Sequence, residues 1–93
     1  MPENLNQLRA ELWPAGTGRD GLGRIVIGGV PLTRIAAEQG TPAYVIDEQD
    51  FRTRARAFRD NFAGWRVYYA GKALLTRAVA RWVAEDGLHM DVT

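Results

Sequence analysis

A single lysine, Lys72, stands in the run Val67-Tyr68-Tyr69-Ala70-Gly71-Lys72-Ala73, past an apolar, aromatic stretch and before an amphipathic one. The run reads as a strand delivering its C-terminal end to a turn, which is where α/β folds gather reactive side chains. A lysine amine held there can attack a carbonyl and form a Schiff base, once burial or a neighbouring cation favours its neutral form. Ala70, Gly71 and Ala73 surround it with little bulk and leave room for a planar ring close to the backbone. The same residues also describe a solvated lysine near a helix start. Residue types alone leave both readings open.

Other chemistry has weaker candidates. The chain has no cysteine, which excludes disulfides and thiolate nucleophiles, and its one histidine, His89, argues against a His-based metal site. Gly16-Thr17-Gly18-Arg19-Asp20-Gly21 has the spacing of a dinucleotide-binding loop, but that motif follows a strand and opens a helix. Here a strand is expected after it and none before, so 15–23 reads as a flexible loop. Asp47, Glu48 and Asp50 suit a helix start better than a hard-metal cluster. Arg52, Arg56 and Arg59 share one helix face near Asp50 and Asp60 and read as a solvated face, as do Arg77 and Arg81. His89, between Leu88 and Met90 in a strand, reads as structural. Tyr68, Tyr69, Trp65 and Trp82 read as packing residues.

Length and charge narrow the classes. At 93 residues the chain is one domain at most, and 46% hydrophobic with 25% charged residues is an ordinary globular composition. Twelve basic and 11 acidic side chains give a net charge of +1, without the basic excess of a nucleic-acid binder. No apolar run is long enough to cross a bilayer, and Met1-Pro2-Glu3-Asn4-Leu5 lacks the features of a secretory signal. The expected location is the cytoplasm, with no membrane or nucleic-acid partner.

These residues must be positioned by a regular set of elements. Leu5, Leu8 and Leu12 suggest a helix over 3–12, stopped by Trp13-Pro14. Arg24-Ile25-Val26-Ile27 predicts a short strand, and Leu32, Ile35 and Ala36 a two-turn helix capped by Gly40. Ala43-Tyr44-Val45-Ile46 predicts a strand, followed by a helix with Asp47 as N-cap and Phe51, Ala55, Phe58 and Phe62 in one stripe. A strand over 65–70, a helix over 73–86 closed by Gly87, and a strand from Leu88 complete the run. Strand, helix, strand, helix, strand with short turns is the pattern of parallel βαβ units, and even helix lengths lean towards a barrel. Because the sequence stops at the end of a strand, it reads as part of something larger.

Much of the chain resembles the diaminopimelate decarboxylases. The resemblance starts with Trp13-Pro14 and Gly28-Gly29-Val30-Pro31-Leu32, as in actinobacterial members. It runs through Thr41-Pro42-Ala43-Tyr44-Val45-Ile46-Asp47, Phe51-Arg52 and Tyr68-Tyr69-Ala70-Gly71-Lys72-Ala73 to Ala80-Arg81-Trp82-Val83, Glu85-Asp86-Gly87-Leu88 and Met90-Asp91-Val92. It implies an α/β fold: the opening βαβαβ units of a (β/α)8 TIM barrel over 42–93, preceded by a segment, 1–41, that belongs with a second, β-rich domain. It implies a homodimeric, pyridoxal-phosphate-dependent carboxy-lyase that converts meso-diaminopimelate, a small amino-acid substrate, to L-lysine. By the same resemblance Lys72 is the catalytic, cofactor-holding lysine, and Asp91 and Ala70 lie against the cofactor. The family's phosphate-holding and ring-stacking residues fall beyond Thr93, so the 93-residue chain alone is expected to be inactive. The alternatives are a related decarboxylase of the ornithine, arginine or carboxynorspermidine type, or a non-catalytic remnant acting through a partner chain.

Overall fold

The computed structural model describes residues 6–92. The chain divides into two compact units, Met1–Asp50 and Phe51–Thr93.

The first unit is built on local hairpins. Strands β1 (Thr17–Arg19), β2 (Ile25–Ile27) and β3 (Val30–Pro31) form an antiparallel sheet in that order, with Gly18 opposite Val26 and Ile27 opposite Val30. A third of the stretch expected to be a flexible loop, Thr17–Arg19, is therefore strand. Its turn is organised by Asp20, whose carboxylate accepts from the backbone N–H groups of Leu22 and Arg24, both at 2.9 Å, and from Arg24 Nε at 2.7 Å. An Asp bonding to the backbone just ahead of it replaces the ladder bonds a turn must give up. Helix α1 (Leu32–Gln39) follows directly on Pro31 and ends at Gly40, with Ile27 the buried centre of the unit.

Two predicted elements of this unit are corrected. Among the described residues the N-terminal helix is only a 3-10 turn, Ala10–Leu12, with Leu12 exposed; Leu5 lies outside the described residues. One short turn with none of its residues buried gains too little to offset the nucleation cost of a longer helix. Residues 43–46 form no strand, and Tyr44 is fully exposed. An apolar extended segment becomes a strand only when another backbone pairs with it, and none does so here.

Helix α2 (Glu48–Asn61) starts in the first unit and continues into the second. Asp47 caps it, accepting from the N–H of Asp50 at 3.2 Å, and Glu48 and Asp50 place negative charge in the first turn.

The second unit contains strand β4 (Tyr68–Ala70), helix α3 (Arg77–Glu85) and strand β5 (His89–Asp91). β4 and β5 pair in parallel, with Tyr68 beside His89, Tyr69 beside Met90 and Ala70 beside Asp91. Of the expected βαβαβ run, this strand–helix–strand portion is formed. Val79, Trp82 and Val83 are buried at its centre, and Phe51, Tyr69, Ala78, Leu88 and Met90 pack against them. The Phe51 ring is the hinge of this cluster, edge-on to Tyr69 at 5.5 Å and tilted against Trp82 at 5.7 Å.

Helix α3 begins later than its apolar pattern suggests. Thr76 is the N-cap, its hydroxyl accepting from Val79 N–H at 3.1 Å, so 73–75 belongs to the preceding loop. The helix ends in a Schellman motif: Leu88 N–H reaches Val83 O at 3.0 Å and Gly87 N–H reaches Ala84 O at 3.1 Å. Gly87 sits there at φ 79°, a conformation that disfavours any side chain.

Candidate functional site

The lysine turn is built by backbone hydrogen bonds at the C-terminal end of β4. Gly71 N–H donates to Asp91 O on β5 at 3.0 Å, and Ala73 N–H closes back onto Ala70 O at 3.1 Å. Gly71 is buried, and a Cβ there would meet Asp91 O at 3.1 Å, Met90 Sδ at 3.4 Å and Leu75 Cδ2 at 3.5 Å. Its small size serves the passage of β5, where the sequence suggested room for a ligand ring. Lys72, one residue on, is exposed.

Parallel pairing sorts the neighbouring side chains by face. Ala70 and Asp91 are register partners, so they share the face that also carries Tyr68 and His89, and all four are exposed. Tyr68 and His89 stack at 5.1 Å with their planes 33° apart. Tyr69 and Met90 take the other face, under α3 and the Phe51 ring. The strand ends thus present an amine on the turn, a carboxylate on β5 and a methyl group on β4, with an aromatic pair one step back along both strands.

The hydroxyl of Tyr69 bridges the turn itself, donating to Leu74 O at 2.6 Å. Residue types offer no cue to this bond, because a tyrosine in an apolar strand reads as packing.

A second cluster departs from the sequence reading. Arg52, Arg56 and Arg59 are more than a solvated face: Arg56 and Arg59 stay about half exposed, yet all three converge on Asp86 at the end of α3. Arg52 donates from Nε to Asp86 Oδ2 at 3.0 Å and from its terminal nitrogen to Oδ1 at 3.1 Å. Arg56 Nε donates to Oδ1 at 3.1 Å, and Arg59 donates to the Asp86 backbone oxygen at 3.1 Å. The Asp86 side chain is 5% exposed and that of Arg52 17%. Hydrogen bonding from Arg52, joined by Arg56, holds the Asp86 carboxyl below the usual carboxylate range against the opposing effect of burial. A cue was present: an acid at a helix C-terminus faces the negative end of the dipole and requires a cation. The arginines clasp the two helices together.

Among the described residues, no group of three or more His, Asp or Glu side chains could hold a metal, and no helix is long and apolar enough to cross a membrane.

Parallel strands joined through a helix, with a lysine on the turn after the first strand, put the second unit in the α/β class. Sequence comparison finds relatives of one kind. The diaminopimelate decarboxylase of Mycobacterium tuberculosis (strain ATCC 25618 / H37Rv) is 49% identical over 89 residues, 95% of this chain and 20% of that protein. That of Corynebacterium efficiens is 46% identical over 91 residues, covering 97% and 20%. That of Actinosynnema pretiosum is 52% identical over 85 residues, covering 91% and 19%. By sequence the chain is a diaminopimelate decarboxylase homologue that spans about a fifth of the length of the curated relatives it matches. No protein-family model matches it.

Proposed function

We propose that this chain is the opening segment of a cytoplasmic, homodimeric diaminopimelate decarboxylase, with Lys72 as the residue that holds pyridoxal phosphate. In this reading 42–93 begins a (β/α)8 barrel and 1–41 belongs with a β-rich domain. The substrate is meso-diaminopimelate and the product L-lysine, formed with release of carbon dioxide.

The observation that carries the reading is the corner formed by Lys72, Ala70 and Asp91. Ala70 and Asp91 end adjacent parallel strands on their open face, and Lys72 sits on the turn that follows. The donor set fits the cofactor: a lysine amine to hold its aldehyde carbon, a carboxylate on the neighbouring strand end, and a methyl group small enough to leave the ring its space. Bound pyridoxal phosphate supplies an electron sink for the pair left behind when a carboxylate departs as carbon dioxide.

The chain's own residues position the amine and set its surroundings. The turn fixes the amine to the end of the sheet, so its position follows β5 through the bond from Gly71 to Asp91. In its neutral form the amine is a nucleophile, and in its charged form a proton donor close to the reacting carbon. Asp91 offers an acceptor to either the amine or the bound cofactor. The Tyr68–His89 pair lies one step back along both strands from this corner, on the same exposed face.

Lys72 is the only lysine in the chain, which makes the test direct. The purified chain is incubated with limiting pyridoxal phosphate, treated with borohydride and mapped by mass spectrometry. The expected result is a pyridoxyl group on Lys72 in large excess over the N-terminal amine. Equal labelling of the two amines would overturn the assignment.

A further inference from the structure

Tyr69 divides its side chain between two tasks. Its ring lies on the covered face of β4, edge-on to Phe51 at 5.5 Å, while its hydroxyl donates to Leu74 O at 2.6 Å. Leu74 is on the far side of Lys72 from Tyr69, so this bond spans the lysine turn. At 2.6 Å it lies at the short end of the range for O–H···O bonds.

The turn has two further ties, Gly71 N–H to Asp91 O and Ala73 N–H to Ala70 O, and both act at or before Ala73. Beyond Ala73 the chain runs through the exposed residues Leu74 and Leu75 to the Thr76 cap of α3. The hydroxyl of Tyr69 gives this outgoing limb a hydrogen-bonded tie beyond Ala73. The packed Phe51 ring fixes the donor, so the bond carries the order of the aromatic cluster to the segment around Lys72.

We propose that Tyr69 is a positioning residue for Lys72: through its hydrogen bond to Leu74 O it holds the outgoing limb of the turn and so sets where the amine stands. This rests on the reading of Lys72 as the cofactor lysine. Tyr69 touches neither substrate nor cofactor, and its effect passes through the loop backbone.

The test compares the 93-residue chain with its Tyr69→Phe variant, which keeps the ring and removes only the hydroxyl. Circular dichroism checks the helices, 15N relaxation reads backbone order at Lys72 and Ala73, and borohydride trapping with pyridoxal phosphate reads the ratio of Lys72 to N-terminal labelling. The expected variant keeps its helical signal and loses backbone order at Lys72, from rigid values near about 0.85 towards those below about 0.6. Its labelling ratio falls about fivefold, the effect of one ordinary hydrogen bond. Selective labelling of the parent chain with unchanged order and ratio in the variant overturns the role of Tyr69 and leaves that of Lys72 standing. Unselective labelling of the parent chain overturns both. Loss of helical signal in the variant also overturns the proposal, because the hydroxyl would then be holding the unit and not the turn.

Discussion

The two faces of the β4–β5 pair are made from alternate residues of the same strands, yet they differ in every physical respect. On one side Tyr69 and Met90 lie under Phe51, Val79, Trp82 and Val83. On the other, Tyr68, Ala70, His89 and Asp91 are exposed, with Tyr68 at 55%. Period-two alternation has separated stability from chemistry: the covered face holds the unit together, and the open one carries the proposed cofactor corner. A parallel sheet is ordinarily covered on both faces, so the open side is unusual for this kind of pairing.

The contrast is broken most severely from the covered side. Trp82→Ala removes the largest buried ring and is expected to cost about 3–5 kcal/mol, read as a fall in urea midpoint by circular dichroism. A loss under about 1 kcal/mol, the size of a mild surface change, would mean that α3 does not pack on that face.

Next in size is Asp86→Asn. Breaking a fully buried ion pair costs about 3–5 kcal/mol, and with Arg56 half exposed about 2 kcal/mol is expected here. The variant should also lose a pH dependence. The folded-state pKa of Asp86 lies below its unfolded value, so its contribution is complete above the ordinary carboxylate range, near about 3.9, and disappears as pH falls through the folded value. Parent and variant midpoints measured from neutral to acid pH should therefore converge; a constant gap would count against the clasp.

The smallest effects belong to the open face. Tyr68→Thr and His89→Thr place strand-favouring β-branched residues at these exposed positions and are expected to shift stability by no more than about 0.5 kcal/mol. A loss above about 1.5 kcal/mol from either, measured by the same urea titration, would show that this face is packed in solution and erase the contrast.

What is legible in the sequence follows the same division between near and far. The cap at Asp47, the stop at Gly87 and the apolar face of α3 are written within a few residues of where they act, and each is present; of the α2 stripe only Phe51 joins the core, with Phe58 and Phe62 exposed. The strand predicted at 43–46 and the helix predicted at 3–12 needed partners elsewhere, and neither forms among the described residues. The arginine face departs from its solvated reading for the same reason: Asp86 lies 34 residues from Arg52, and nothing in the helix itself points to it. For the candidate site, the lysine and its strand end can be read from residue types. The hydrogen bond of Tyr69 to Leu74 cannot, because it depends on where a ring packs.

The clasp at Asp86 also gives the history of substitutions in this chain a direction. Losing Arg56 first is mild, since Arg52 still engages both carboxylate oxygens and Arg59 still holds the backbone oxygen. Losing Asp86 first leaves the guanidinium groups of Arg52 and Arg56 close together without the carboxylate that joins them. Lineages that have dispensed with this carboxylate should therefore be lineages in which the arginines had already gone.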